Sequence, residues 1–252
     1  MIIDIFKDIR KKIKYILTYP KNGIARFQVD EYMTSMVAKT IPGQYVLDIA
    51  AGHQPYRNMF SDCNYESCDY KPVLNDIGEV PYEQREQTFY CDITKGIPQL
   101  DNKYDLIICT EVLEHVNKPL NVLNEINRVL KPDGKLLLTT TQCFGLHQEP
   151  HNYYNFTKYG LKYLLSESGF ETLSIEPLGG IFHLLIKVTG NSFTLLWDSM
   201  PRIFILLLLP IEILLILFNF LLSYIYFHLD KFDKEKKWTI NYGCYCRKPN
   251  SS

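Results

Sequence analysis

The fold is decided by residues 45–56, Tyr45-Val46-Leu47-Asp48-Ile49-Ala50-Ala51-Gly52-His53-Gln54-Pro55-Tyr56, where a short apolar run passes into a loop with glycine and proline. The apolar run predicts a buried β-strand over Tyr45–Ile49, because it is short and bounded by turn residues. In open α/β sheets, ligands bind beyond the carboxyl ends of the strands. The loop that follows Ile49 is therefore the first place to look for a binding site.

Further short apolar or β-branched runs predict the remaining strands, which are Asn64–Asp69, Thr88–Cys91, Tyr104–Thr110, Lys135–Thr141, Glu171–Glu176 and Trp238–Arg247. Helices are predicted over Val29–Lys39 after a turn at 19–23, over Pro119–Leu130 with Asn117 as N-cap, and from Thr157 to about Ser168. Strands that alternate with helices and are apolar throughout indicate a parallel sheet covered on both faces. The predicted class is α/β.

Four acidic residues stand in or just after the first four strands: Asp48, Asp69, Asp92 and Glu111. An acid that ends the second strand of a Rossmann-type sheet is placed to bind ribose hydroxyls. An acid after the third strand can accept a hydrogen bond from an exocyclic amine. The pattern predicts a nucleoside-containing ligand.

The loop at 45–56 resembles motif I of class I S-adenosylmethionine-dependent methyltransferases of the type 11 kind, although Ala50 and Gln54 stand where the family has glycines. The resemblance extends to the ordered acids, to Tyr104–Val116 and to Leu130–Lys135. It covers roughly Arg26–Pro177 and the last strand. It implies a Rossmann-like, mostly parallel sheet with an antiparallel last strand, and S-adenosylmethionine as cofactor.

The resemblance also implies a set of cofactor-binding residues, which are Asp48, Ala50, Gly52, Asp69, Asp92, Ile93, Thr110 and Glu111. In the family pattern, the loop contacts the aminocarboxypropyl part of the cofactor and Asp69 holds the ribose. Asp92 with Ile93 frames the adenine, and Thr110 with Glu111 lines the methionine side. For Asp48, a purely structural role in fixing the loop is the alternative.

The acceptor side is expected after the fifth strand, where residues 147–156 bring histidines and aromatic residues into one loop. His147 or His151 is the predicted general base for a hydroxyl acceptor, because histidine exchanges protons near neutral pH. The alternative is that these groups only fix the loop. No metal is expected, since His147, Glu149 and His151 make a poor cage without a further ligand. Glu114 and His115 are interpreted as a pair that starts a helix, and Asp105 as structural.

Composition limits the partners. The formal net charge is -1, so no overall field attracts nucleic acid and none is predicted as a partner. Seven cysteines without a CxxC pair indicate reduced thiols in the cytoplasm.

A large apolar insertion separates the last two predicted strands at 178–237, and its most apolar part is Ile203–Leu229. It divides the predicted methyltransferase domain into 21–177 and 238–252. Both flanking strands belong to one sheet, so the insertion must leave a bilayer on the side it entered: as two spans, a re-entrant segment or an in-plane helix broken at Pro210. The alternative is a helical lid or dimer interface in water.

Residues 1–20 predict a basic amphipathic helix, which suits an anionic membrane surface or a position over the cofactor cleft. Together the patterns predict a methyltransferase at the cytoplasmic face of the bilayer. Its acceptor would be a small-molecule or lipid-linked hydroxyl, such as that of a lipid-linked sugar. A quinone or prenyl-lipid methyltransferase and a non-catalytic cofactor-binding membrane scaffold are the alternatives.

Overall fold

The computed structural model describes residues 23–71, 86–199 and 205–250. The chain divides into two compact units, of which the first comprises Met1–Asp30 and Pro177–Ile240 and the second Glu31–Glu176 and Asn241–Ser252. The predicted helix over 1–20 and the first four residues of the turn at 19–23 lie outside the described residues. So does the start of the apolar run at 203.

Seven strands among the described residues form one sheet: β1 (Tyr45–Ile49), β2 (Asn64–Asp69), β3 (Phe89–Tyr90), β4 (Tyr104–Thr110), β5 (Leu130–Thr141), β6 (Glu171–Leu178) and β7 (Asn241–Arg247). Their order is β3-β2-β1-β4-β5-β7-β6. The first five strands pair in parallel, and β7 pairs antiparallel to β5. This is the predicted Rossmann-like α/β fold with its antiparallel strand, and the prediction is confirmed.

Some strand limits differ from the prediction, because tertiary pairing sets them. β5 begins at Leu130 rather than at Lys135, since Leu130 pairs with Tyr104 and the backbone of 133–134 exchanges hydrogen bonds with Lys248. β3 is shorter than Thr88–Cys91, and β6 runs past Glu176 to Leu178. β7 begins at Asn241 rather than at Trp238, whose side chain is exposed.

Helices cover both faces of the sheet. On one face α2 (Pro119–Val129) and α3 (Lys158–Glu167) bury Leu123, Ile126, Leu161 and Leu165 in the main core. On the other face Tyr32 of helix α1 (23–37) lies against β7, where a Cβ on Gly243 would come within 2.7 Å of the tyrosine ring. This two-sided cover buries the sheet and leaves its strand ends to carry the site.

Three predictions about helix ends have clear outcomes. Thr157 caps α3 as predicted, since its side chain accepts from the N–H of Gly160. Asn117 does not cap α2, because the N-cap position is Lys118 and has no side-chain cap. Helix α1 includes Gly23, which the sequence places in a turn, and so starts before Val29. The early start is explained by contacts in the first unit, where the ring of Phe27 packs on that of Phe227 at 5.8 Å.

The first unit contains two apolar helices that follow each other in the chain, α4 (Ile181–Ser199) and α5 (Ile205–Leu229). Asp230, just after α5, accepts from the N–H groups of Gly180 and His183 at the start of α4. A carboxylate at a helix N-terminus is stabilising, so this contact fixes the base of the pair. α5 runs through Pro210 without interruption, so the alternative of a helix broken at that residue does not hold.

Candidate active site

The loop after β1 has the backbone of a glycine-rich loop with only one glycine. Ala50, Gly52 and Gln54 have φ angles of +53°, +52° and +55°. This left-handed region is costly for residues with a side chain beyond glycine. Ala50 and Gln54 stand where the family pattern has glycines, and both adopt this conformation at an energetic cost.

Asp69, at the end of β2, is joined directly to this loop. Its Oδ2 accepts from the Gly52 N–H at 2.8 Å, and its Oδ1 accepts from the Tyr70 N–H at 2.7 Å. Burial raises the pKa of Asp69, although both backbone donors act in the opposite direction. The carboxylate still has acceptor capacity on both oxygens, as a ribose-binding acid requires.

Two glutamines that the sequence reasoning did not select hold the loop from the other side. The Gln54 side-chain amide donates to the carbonyl of Glu86 at 2.8 Å and to Oε1 of Gln87 at 3.1 Å. The Gln87 amide donates to the Gly52 carbonyl at 2.8 Å. Gln54 thus uses the side chain that a glycine would lack to tie the loop to residues 86–87. The only sequence signal for this is the misfit of Gln54 with the family pattern.

Asp48 is buried in β1, and its Oδ2 accepts from the Tyr65 hydroxyl of β2 at 2.6 Å. This contact joins two strands, as the structural alternative for Asp48 expects. Asp105, predicted to be structural, accepts from the Tyr45 N–H and from Lys131.

Asp92 follows β3 and makes local contacts. Its Oδ1 accepts from the Thr94 N–H at 3.0 Å and from the Thr94 hydroxyl at 2.6 Å, and Lys95 lies 3.1 Å from Oδ2. Burial raises the pKa of Asp92, but the hydrogen bonds from Thr94 and Lys95 outweigh it, so the pKa lies below its ordinary value. The neighbouring Ile93 is buried and belongs to the main core. Asp92 is thus held as a carboxylate beside an apolar residue.

The segment after β4 turns back toward β5. Thr110 ends the strand, and Glu111 has a φ of +55° while its N–H donates to the carbonyl of Thr139. Glu114 lies in a short 3-10 helix, Leu113–His115, and is fully buried. Its Oε2 accepts from the Thr140 hydroxyl at 2.8 Å. Burial raises the pKa of Glu114 well above its ordinary value, and the charge of Glu111 raises it further.

Both predicted histidines contact His115. The His115 and His147 rings approach edge to face with centroids 4.7 Å apart. The Nδ1 atom of His115 is 2.6 Å from the carbonyl oxygen of His151. The side chain of His151 turns to the hydroxyl of Tyr153 at 3.3 Å.

Glu114 and His115 do more than the predicted start of a helix requires. Their 3-10 helix ends at His115 and is separate from α2, which begins at Pro119. The Glu114 carbonyl accepts from the Tyr153 N–H at 2.7 Å. Both residues are therefore packed against the predicted acceptor loop.

The loop after β1 is fit to receive S-adenosylmethionine on its own geometry. Among the described residues other than its two chain neighbours, none has a heavy atom within 4 Å of the place that a Cβ on Gly52 would take. The Gly52 N–H donates to the carboxylate of Asp69, so the loop backbone and this acid lie together at the strand end. A ligand with a ribose and an amino acid part would find backbone and carboxylate acceptors together at this strand end.

Comparison with known protein families gives one match that covers most of the chain. Residues 3–175 match a family described as a methyltransferase domain.

Curated relatives align over a shorter part. An uncharacterized protein of Methanocaldococcus jannaschii is 36% identical over 104 residues, which is 41% of this chain and 44% of that protein. A demethylmenaquinone methyltransferase of Renibacterium salmoninarum is 30% identical over 100 residues, 39% of this chain and 41% of that protein. The chain therefore aligns with less than half of the length of these relatives.

Among solved structures, a putative sarcosine dimethylglycine methyltransferase from Galdieria sulphuraria aligns with a TM-score of 0.53 at 19% identity. The alignment covers 89% of this chain and 86% of the other. The likeness establishes the fold.

Proposed function

The chain belongs to the class I S-adenosylmethionine-dependent methyltransferases, and from this premise we propose that it methylates a hydroxyl of a lipid-borne acceptor while attached to the cytoplasmic face of a membrane. The family membership supplies the cofactor. The membrane attachment and the acceptor are argued from the first unit and from the loop after β5.

The observation that carries the proposal is the inverted polarity of α5. Asn219 and Ser223 are buried, with 0% and 8% of their surfaces exposed, whereas Leu214 and Leu217 are 65% and 60% exposed. In water a helix pair buries its leucines and exposes its polar side chains. In lipid the helix interface takes up small and polar residues, and the apolar side chains face the hydrocarbon. The burial pattern of α5 therefore supports the proposal that this helix lies in lipid.

The length of α5 agrees with this interpretation. Residues Ile213–Phe232 are long and apolar enough to cross a membrane, and only 17% of their most apolar stretch is buried inside the protein. Several of their large apolar side chains are exposed, among them Leu214, Leu217 and Leu221. These exposed side chains support insertion of the α4–α5 pair into a bilayer.

The sheet limits how the pair can be inserted. β6 precedes α4, β7 follows α5, and the two strands are neighbours in the sheet. A sheet cannot be assembled across a bilayer, because its backbone hydrogen bonds would have to form through the hydrocarbon. Both ends of the helix pair therefore return to the same side, and we infer attachment from the cytoplasmic side alone.

The acceptor is inferred from this attachment together with the histidine loop. S-adenosylmethionine supplies, when bound, a methyl group on a sulfonium, which an acceptor oxygen displaces in line. The protein then has to align the acceptor and remove its proton. His147 and His151 are the proposed groups for that step, since both lie in the loop after β5 at the carboxyl end of the sheet. A lipid-linked sugar hydroxyl is the acceptor class we put first.

A quinone or other prenyl lipid is the second candidate acceptor. It is favoured by the relative named as a demethylmenaquinone methyltransferase, although that relative aligns with less than half of its length. Both acceptor classes are carried in membranes.

Mass spectrometry identifies the acceptor. Membrane lipid extracts are incubated with the full chain and methyl-labelled S-adenosylmethionine, and the products are compared with those of the Asp69→Ala variant. We expect the label in a lipid-linked glycan. Label in a quinone would select the second candidate, and an unlabelled extract from a chain that still binds S-adenosylhomocysteine would point to a non-catalytic scaffold.

Washing membranes that carry the full chain, first with high salt and then with detergent, tests whether the α4–α5 pair attaches the protein to the bilayer. Apolar side chains inserted into the hydrocarbon of a bilayer stay there in high salt, whereas charged side chains bound to lipid headgroups are released because salt screens their attraction. We expect the chain to stay with the membrane in high salt and to be released by detergent. Release by salt alone would leave the α4–α5 pair as a soluble lid or a dimer interface.

A further inference from the structure

The strongest unassigned feature of the second unit is a cluster of possible metal ligands beside the acceptor loop. Glu114, His115 and His147 each offer one ligand atom, and these atoms lie within 4.8 Å of one another. Zinc ligands sit about 2.0–2.2 Å from the ion and hence about 3–4 Å from one another. Side-chain movements of about 1 Å would bring the three atoms onto one ion.

Glu114 gives the first sign that the cluster is built for a ligand. Its Oε2 accepts from the Thr140 hydroxyl, but its Oε1 is buried and has no hydrogen-bond partner among the described residues. A buried carboxylate oxygen without a partner is destabilising. A cation at that oxygen would remove this cost.

The two histidines give the second sign. The Nδ1 atom of His115 lies 2.6 Å from the His151 carbonyl oxygen, and that of His147 lies 3.0 Å from the Gly145 carbonyl oxygen. A carbonyl can only accept, so these contacts favour the tautomer with the proton on Nδ1, in which Nε2 is the nitrogen suited to bind a metal. Metal-bound histidines in proteins show this arrangement, because the outer hydrogen bond fixes the tautomer and the direction of the ring.

We propose that Glu114, His115 and His147 bind a divalent metal ion of the zinc class. Two imidazoles and one carboxylate suit zinc, and a three-ligand site of this composition keeps a coordination position open. This set differs from His147, Glu149 and His151, which the spacing along the chain makes a poor cage. In the structure Glu149 is exposed and His151 contacts Tyr153 instead.

The open coordination position of the ion would take the acceptor oxygen. This catalytic role of the ion rests on the proposed methyl transfer, whereas binding of the ion does not depend on it. A bound cation makes a hydroxyl more acidic and fixes its position. The hydroxyl proton passes to solvent, the oxygen forms a bond to the methyl carbon, and the electron pair of the broken carbon–sulfur bond stays on sulfur. His147 then serves as a ligand, and His151 remains as the group that receives the proton on its way out.

Cobalt titration of the full chain in detergent tests the site, because Co²⁺ occupies zinc sites and reports its ligands by visible absorption. We expect saturable binding of one Co²⁺ that added Zn²⁺ displaces. His147→Ala and Glu114→Gln should weaken the binding by at least about 100-fold, since the loss of outer contacts alone costs about 10- to 100-fold. Glu149→Gln and His151→Ala are the matched controls and should bind Co²⁺ as the unaltered chain does.

The outcomes separate this proposal from the proposed function. Absence of Co²⁺ binding, or full binding by His147→Ala, overturns the metal site. Loss of binding in Glu149→Gln and His151→Ala with retention in Glu114→Gln overturns the ligand assignment. Calorimetry with S-adenosylhomocysteine on the same samples reports the cofactor site independently, so a chain that binds the cofactor product and no metal keeps the proposed function and loses this inference. Because His147 lies in a loop, its variant gives a result even if Glu114→Gln fails to fold.

Discussion

Ala50 occupies a backbone conformation that glycine adopts at no steric cost. Its φ is +53°, and the left-handed region costs a residue with a Cβ about 1–2 kcal/mol. Against this, a glycine lowers the free energy of unfolding by about 0.4–1 kcal/mol, because it gives the unfolded chain more conformational entropy. We therefore expect Ala50→Gly to raise the free energy of unfolding by roughly 0.5–1 kcal/mol, seen as a higher melting temperature. Ala51→Gly is the control, since Ala51 is buried and has no positive φ, and it should lower the melting temperature. A lower melting temperature for Ala50→Gly would show that the Ala50 conformation carries no strain.

Asp69 is the predicted ribose-binding residue. Its carboxylate lies at the end of β2 and is held by the Gly52 N–H. Loss of charge-assisted hydrogen bonds to a ribose should weaken binding of S-adenosylhomocysteine by about 1–3 kcal/mol in Asp69→Ala. Titration calorimetry measures this. The control is Asp62→Ala, because Asp62 is an exposed aspartate near the start of the same strand. Equal affinities of the Asp69 variant and the unaltered chain would remove Asp69 from the site.

His151 is the proposed proton acceptor. Its replacement by alanine should lower turnover by about 100-fold while leaving the affinity for S-adenosylhomocysteine nearly intact, as expected when a general base is lost. Glu149→Gln, in the same loop, should keep its turnover. Full turnover of His151→Ala would leave His151 as part of the loop only.

Gly243 lies where helix α1 packs closely against strand β7. A Cβ at this position of β7 would lie 2.7 Å from the ring of Tyr32 on α1. Overpacking of this kind costs about 1–3 kcal/mol, so Gly243→Ala should lower the melting temperature by several degrees. Gly145→Ala is the control, because among the described residues nothing lies within 4 Å of the place that its Cβ would take. An unchanged melting temperature for Gly243→Ala would mean that α1 does not pack closely against β7.

Elements with a local signal were predictable from sequence, and elements set by distant contacts were not. β1, β2 and β4 have the predicted limits, because each is an apolar run closed by turn residues. The start of β5 depends on Lys248, and the start of α1 on Phe227, both remote in sequence. No local pattern encodes such contacts.

The site shows the same division. The acids at the ends of β1 to β4 follow from strand order, since parallel strands present their carboxyl ends at one edge. The contact of His115 with His147 depends on the neighbouring positions of β4 and β5 and on the path of the loop between β5 and α3. Sequence spacing could not indicate it, and for the same reason it could not indicate that Glu114 packs against that loop.

At the scale of the whole molecule, a cofactor-binding sheet and a helix pair with its apolar side chains outward belong to one chain. Neither the sheet alone nor the helix pair alone predicts a lipid-borne acceptor. An enzyme fixed in one bilayer meets the acceptors of that bilayer at high effective concentration, and those of other vesicles hardly at all.

The most direct test of membrane attachment therefore compares two rates of methyl transfer. One is the rate when enzyme and acceptor share a vesicle, and the other is the rate when they are in separate vesicles. The full chain is reconstituted either into vesicles made from a membrane lipid extract or into acceptor-free phosphatidylcholine vesicles that are then mixed with extract vesicles. Methyl-labelled S-adenosylmethionine is added to both, and label is counted in the organic phase. We predict labelled lipid when enzyme and extract share a bilayer and little when they do not. Equal labelling in both arrangements, or label confined to water-soluble products, would contradict attachment of the enzyme to the bilayer of its acceptor.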